Sequence, residues 1–268
     1  MSSPDWAAQA LQSFDAVVQA TEGFRSRAGQ RLMAEQVART FSTATLGKVD
    51  EEGGEAAPTR SIAVIQAGTG VGKSLAYCAP AIALALARGT RVLISTATVA
   101  LQEQLVNKDL PALAARMPQP FKFALAKGRG RYVCKLKLDR LAGTGEAHGE
   151  DDDDLFPEEA ASARPKRSHQ ETEARMQFYS TMAQTLAKGA WDGDRDSLDT
   201  PPEPEVWSPV AAEGASCTGK HCPAFSQCTY YDKRKELVGA QVIVANHDLL
   251  LSSLGARVLP ELDNCLLV

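Results

Sequence analysis

The stretch "VIQAGTGVGKSLAY", Val64 to Tyr77, sets a glycine-rich turn between a β-prone apolar run and an apolar helical run. A phosphate-binding loop needs that context. Gly68, Gly70 and Gly72 let the backbone approach an anion and turn amides toward it, at the N-terminus of a helix whose partial positive charge favours phosphate. Lys73 then reaches the β- and γ-phosphates, and the Ser74 hydroxyl suits Mg²⁺. The usual pattern opens on glycine where this chain has Ala67, so the candidate nucleotide-binding set is Ala67, Gly68, Thr69, Gly70, Val71, Gly72, Lys73 and Ser74. The competing reading is a glycine-rich turn that holds no ligand.

Working outward, a helical pattern from about Pro4 to Ala20 precedes a second one within Arg25 to Phe41, whose apolar positions are Leu32, Met33, Ala34, Val37 and Phe41. A polar loop, "DEEGGEAAPTR", follows. From Ser61 strand and helix alternate: "SIAVIQA", a helix from about Lys73 to Ala87, "RVLIST", a helix through "ALQEQLVNKDLPAL", and "FKFALA". Such alternation predicts an α/β fold with a parallel sheet and helices on its faces. It stops at Lys127. Between Lys127 and about Thr229 no strand pattern occurs. A helix over Glu171 to Gly189 carries Met176, Tyr179, Met182, Ala183 and Leu186 on one stripe, Leu141 to Gln170 reads as mobile, and "DTPPEPEVWSP" is a proline-rich connection. The alternation resumes with a helix at "YYDKRKELVGA", a strand "QVIVA", a helix around "HDLLLSSL" and a last apolar run, "CLLV". The expected domains are residues 1–126, the first part of an ATP-binding domain; 127–230, an insertion; and 231–268, the return to the first domain. A chain that stops inside a core strand reads as a fragment.

With 268 residues, 44% hydrophobic and 23% charged, the chain has enough material for a buried core and reads as soluble. The apolar run "LAYCAPAIALALA" is too short to cross a bilayer. No basic region followed by an apolar core opens the sequence, so a cytoplasmic protein with no membrane partner is expected. The net charge of −4 excludes indiscriminate coating of nucleic acid. The distribution is uneven: "AKGRGRYVCKLKLDR" holds six Lys or Arg against one Asp, and an acidic run occupies Asp151 to Asp154. The basic run reads either as a solvated face or as a groove that tracks phosphates.

Three of the six cysteines fall in "CTGKHCPAFSQC", Cys217 to Cys228, together with His221; Cys134 opens the same insertion. Disulfides belong to short secreted chains, so a metal is the better expectation. The gaps of four and five residues are not the two-residue gap of common zinc knuckles, so spacing alone does not name the metal. Cys78 and Cys265 read as buried small hydrophobes. His247 reads as holding a turn with Asn246, and His148 and His169 carry no signal.

Taken together, these segments resemble a family. "AGTGVGKS" is similar to motif I of superfamily 2 helicases, and "STATVALQEQL" resembles the segment that follows it in the DinG and XPD branch. "KGRGRYVC", "CTGKHCPAFSQCTYYDKR" and "VIVANHDLLL" resemble, in order, the iron–sulfur insertion and returning strand of DinG-type ATP-dependent DNA helicases. The resemblance runs from about Phe24 to Val268. It implies a RecA-like P-loop domain interrupted by a mainly helical iron–sulfur insertion, with Cys134, Cys217, Cys222 and Cys228 matching the ligands of a [4Fe–4S] cluster. A four-cysteine zinc site, or one using His221, is the chemical alternative.

The resemblance further implies ATP and Mg²⁺ as cofactors, with Gln30 matching a glutamine used near adenine, whose edge an amide suits as donor and acceptor together. Thr96, Thr98 and Gln102 are candidates for DNA backbone contact, or else for strand-end and capping roles. Lys127, Arg129 and Arg131 would guide single-stranded DNA beside a cluster that fixes an insertion with little core of its own. Implied too are single-stranded and forked or overhang duplex DNA as substrates, ATP hydrolysis coupled to 5′ to 3′ translocation, a place in DNA repair, and no requirement for an oligomer. The family's Asp-Glu-Ala-His motif would follow "CLLV", and phosphoryl transfer needs those acids. By itself the chain is therefore expected to bind ATP weakly or not at all, and not to unwind DNA. Two other readings compete: a metal-bound nucleic-acid or protein interaction module on a vestigial nucleotide fold, and a P-loop ATPase that uses a cluster as a redox sensor.

Overall fold

A computed structural model describes residues 5–23, 25, 27–47, 59–143, 169–253, 259 and 261–268. Phe24, most of the polar loop after Lys48, the acidic run with His148, and much of the stretch from Leu141 to Gln170 lie outside the described residues. Two compact units divide the chain: residues 1–127 with 235–268, and residues 128–234.

In the first unit, α1 (Trp6–Gln19) starts at Asp5, whose carboxylate accepts the Ala8 N–H at 3.0 Å and satisfies one of the helix's unpaired donors. α2 (Ala28–Thr43) and α3 (Lys73–Ala87) follow. Then come β1 (Arg91–Thr96), α4 (Val99–Gln104), a π-helical turn at Leu105–Asp109, α5 (Leu110–Ala114) and β2 (Phe123–Leu125). The second unit contributes α6 (Lys135–Leu141), α7 (His169–Ala187) and α8 (Pro204–Trp207). α9 (Thr229–Gly239) leads back to β3 (Val242–Asn246), α10 (His247–Ser253) and β4 (Cys265–Leu267).

The sheet is parallel throughout, in the order β2-β3-β1-β4, with Val92 opposite Val242 and Ser95 opposite Ala245. Because strand side chains alternate between faces, Val92, Ile94, Val242, Val244 and Leu266 join the core made with α1, α2 and α3. Leu93, Ile243, Ala245 and Cys265 pack on the opposite face with Leu237 and Leu249. Both faces are covered, as a parallel sheet requires. α3 lies at the centre because Ala76, Ala79, Ala81, Ala83 and Ala85 are small enough to let α1, α2 and the sheet close on it. Arg88, just past α3, donates to the carbonyls of Phe41 at 2.8 Å and Ala44 at 2.6 Å, satisfying acceptors at the C-terminal end of α2. Arg88→Ala should cost about 1–2 kcal/mol, read as a melting temperature lower by a few degrees.

Three sequence expectations need correction. "SIAVIQA" forms no strand and pairs with none among the described residues. Its β-branched residues fit a pleated surface, yet a strand also needs a ladder partner: Ile62 and Val64 are 83% and 96% exposed, while Ile65 and Ala67 pack on the core. The helix through "ALQEQLVNKDLPAL" is interrupted by the π-helical turn. On α7, Tyr179, Met182 and Ala183 are buried but Met176 is 55% exposed.

The second unit also has more core than expected. Val133, Leu138, Tyr179, Met182, Trp191, Trp207 and Val210 form one apolar cluster. Each large ring carries a polar tip that finds a carbonyl: Trp207 donates to Gly130 and Trp191 to Asp194, both at 2.7 Å, and Tyr179 to Val206 at 2.8 Å.

Candidate functional site

The loop Gly68–Gly72 enters α3 with Gly70 and Gly72 at φ +77° and +87°, the left-handed region that glycine occupies without strain. Four of the carbonyls here are engaged by side-chain donors. Lys73 Nζ donates to Ala67 at 3.1 Å and Gly68 at 3.0 Å. Arg27, immediately before α2, donates to Gly70, and Gln30, in the first turn of α2, donates through Nε2 to Gly72 at 2.9 Å. In a planar trans peptide the next residue's N–H points opposite to the carbonyl. Holding these carbonyls therefore turns the amides of Gly68, Thr69, Val71 and Lys73 away from the donors, free to meet an anion.

Gln30 is 1% exposed, and among the described residues its Oε1 has no hydrogen-bond partner. A buried acceptor without a donor is costly, and such an orphan marks a place where a ligand's donor would be welcome. A Cβ added at Gly72 would collide with Gln30 Nε2. Gly72→Ala should therefore both weaken nucleotide binding and lower the melting temperature. Gly68, with an ordinary φ and nothing within 4 Å of an added Cβ, should tolerate alanine without loss of stability. The Tyr77 phenol pKa is pushed up, chiefly by burial, so the tyrosine stays neutral.

At the carboxyl edge of the sheet the residues expected to meet DNA are engaged in building the turn. Thr96 is buried and donates to the Thr98 carbonyl at 3.2 Å. Thr98 accepts the Leu101 N–H at 3.3 Å as the cap of α4, and Gln102 is buried. Asn246 accepts the Leu249 N–H at 2.8 Å at the start of α10. His247 does not hold that turn: its Nδ1 lies 2.7 Å from Ser95 Oγ, across from β3 to β1. The sequence offered no sign of this pair, because only the strand register brings the two together.

In the second unit Cys134 precedes α6, its N–H bonded to the Val210 carbonyl at 2.7 Å. Cys222 lies between two 3-10 turns, Gly219–His221 and Phe225–Gln227, and Cys228 follows the second. The Cys228 thiol pKa is raised, first by burial, with Cys134 and Cys217 adding to the rise and the Tyr230 and Tyr231 amides opposing it. Cys217 Sγ accepts the Gly219 N–H at 3.4 Å. Cys134 and Cys217 therefore lie within electrostatic reach of Cys228, and backbone N–H groups face Cys217 and Cys228. Among the described residues, no three His, Cys, Asp or Glu side chains form a group that could hold a metal ion. The donor chemistry itself, four thiols and no carboxylate, is that of a cluster or zinc site.

The basic run is partly tied down. Arg131 pairs with Asp196 at 3.1 Å, Lys135 with Asp139 at 2.5 Å and Lys137 with Glu213 at 2.9 Å. Arg129 stacks its guanidinium 4.4 Å above the Tyr230 ring, within the electrostatic reach of Cys217. Among the described residues, no helix is long and apolar enough to cross a membrane.

Comparison with known proteins adds sequence relatives to this geometry. The family described as DEAD/DEAH box helicase matches residues 54–118, the part that contains the loop. "ATP-dependent DNA helicase DinG" of Escherichia coli (strain K12) is 36% identical over 267 residues, 97% of this chain and 33% of that protein. The protein of the same name from Photobacterium profundum is 36% identical over 92% of this chain and 32% of its own length, and the one from Salmonella choleraesuis 37% over 91% and 31%. The chain spans about a third of the length of these relatives. These matches, with the α/β fold and its parallel sheet, make the chain similar to the DinG helicases over the third of their length that it spans.

Proposed function

We propose that this chain is the nucleotide-binding portion of an ATP-dependent DNA helicase, in which ATP hydrolysis drives translocation on single-stranded DNA with 5′ to 3′ polarity and opens forked or overhang duplexes. The observation that carries the reading is the loop Ala67–Ser74, whose carbonyls are held by Arg27, Gln30 and Lys73. The loop amides and Lys73 would hold the phosphates, Ser74 would take Mg²⁺, and the orphaned Gln30 Oε1 would accept from the adenine amino group. Breaking the Lys73 contacts with Ala67 and Gly68 would free the ammonium for the phosphates.

Within this reading residues 127–230 form an insertion in which Cys134, Cys217, Cys222 and Cys228 would hold a [4Fe–4S] cluster. Such a cluster would add a four-point covalent tie to segments already joined by backbone hydrogen bonds, Cys134 N–H to the Val210 carbonyl among them, and by a shared apolar core. The backbone donors around Cys217 and Cys228 and the Arg129 guanidinium suit the negative charge of bound thiolates.

Titration calorimetry with ATP and Mg²⁺ tests the nucleotide reading. Binding that is weak, requires the triphosphate and competes with pyrophosphate is the expected result; a chain that binds adenosine as well as it binds ATP would overturn it.

A further inference from the structure

The carboxyl edge of a parallel sheet is where ligands of open α/β folds bind. At that edge most polar side chains are consumed locally: Thr96 by the Thr98 carbonyl, Thr98 by Leu101, Asn246 by Leu249. His247 differs, being exposed and held, among the described residues, by one ring nitrogen only, Nδ1 on Ser95 Oγ at 2.7 Å. Ser95 lies in β1 and His247, the first residue of α10, directly follows β3, whose register with β1 sets Ser95 beside Ala245 and Thr96 beside Asn246, so the backbone leading to both residues is held in the sheet. One fixed nitrogen sets the direction of the other: in the tautomer in which Ser95 donates to Nδ1, the imidazole carries its proton on Nε2 and presents a single oriented N–H.

We propose that Ser95 and His247 form a contact site for one backbone phosphate of single-stranded DNA, with His247 Nε2–H donating to the phosphate and Ser95 fixing the ring. The neighbouring Asp248 is also exposed and repels any phosphate brought here, which keeps the contact weak. The inference rests on the reading that this chain engages DNA, and deepens it by naming residues outside those the sequence nominated. No other side chain at this edge is assigned the contact, because Thr96 and Gln102 are buried.

The test is fluorescence anisotropy of a labelled oligothymidine with the whole chain, its His247→Ala, His247→Gln and Ser95→Ala variants, and a second oligothymidine whose backbone carries neutral methylphosphonates. His247→Ala should weaken binding to the natural backbone about tenfold, the scale of one hydrogen bond to a charged group. His247→Gln, which keeps a donor, should recover part of the loss, and Ser95→Ala should fall between. Against the methylphosphonate strand the same substitutions should change little, which separates a phosphate contact from a merely structural role. Equal affinity of His247→Ala and the parent for the natural strand would overturn the assignment while leaving the DNA reading intact. A parent chain that binds neither strand would overturn both.

Discussion

Lys73→Ala is expected to abolish nucleotide binding and leave the fold unchanged. Among the described residues the Lys73 ammonium donates to the carbonyls of Ala67 and Gly68, both within its own loop, and packs against no part of the core. Its replacement should therefore move the melting temperature by no more than surface substitutions do, about 0.5 kcal/mol in stability. The loss in binding is far larger. The ammonium is the point charge that reaches the β- and γ-phosphates, and one or two charge-assisted bonds amount to roughly a hundredfold in affinity. Titration of ATP into the variant, alongside thermal melting, checks both halves. Undiminished affinity would mean that the loop is a glycine-rich turn and nothing more.

The second large effect is expected at the thiols. Cys228→Ser should remove most of the iron from a chain purified without oxygen, because serine is a poor soft-metal ligand and four thiolates are the normal complement of a [4Fe–4S] cluster. Cys134→Ser should do the same, although the two positions are far apart in sequence. Cys265→Ser should not. That thiol is buried against the sheet, its pKa raised mainly by burial, and it donates to the Glu261 carbonyl. Iron assay of the three variants separates a ligand set from ordinary buried cysteines. Equal iron in Cys228→Ser and Cys265→Ser would remove the cluster from the account.

Where the sequence was informative, local physics explains why. The turn of Gly70 and Gly72 and the alanine-rich helix behind it are written within twenty residues, and β1 and β3 carry unbroken apolar runs because both faces of a parallel sheet are buried. The misreadings come from partners distant in sequence. "SIAVIQA" has strand composition without a ladder neighbour among the described residues, and composition cannot report that. Arg131 looked like part of a free basic run, yet its carboxylate partner, Asp196, is 65 residues away. Ser95 and His247 are separated by 152 residues and meet only through strand register. Gln30 was nominated for the nucleotide only by resemblance, and that role remains a proposal. Its bond to Gly72, 42 residues on, gives it a second part in holding the loop. Thr98 shows the reverse case: a threonine at a strand end is read equally well as a cap or as a phosphate contact, and the structure uses it to cap α4.

The glycine-rich loop lies in the first unit and Cys134, Cys217, Cys222 and Cys228 in the second, and metal content decides what the second unit holds. The measurement is iron, acid-labile sulfide and zinc per chain, with the visible absorption spectrum, on protein purified without oxygen. About four irons and four sulfides per chain, on a brown protein, is the result expected from four thiolate ligands. A colourless chain with one zinc would contradict it, leaving the nucleotide loop in place and moving residues 127–230 to an interaction module.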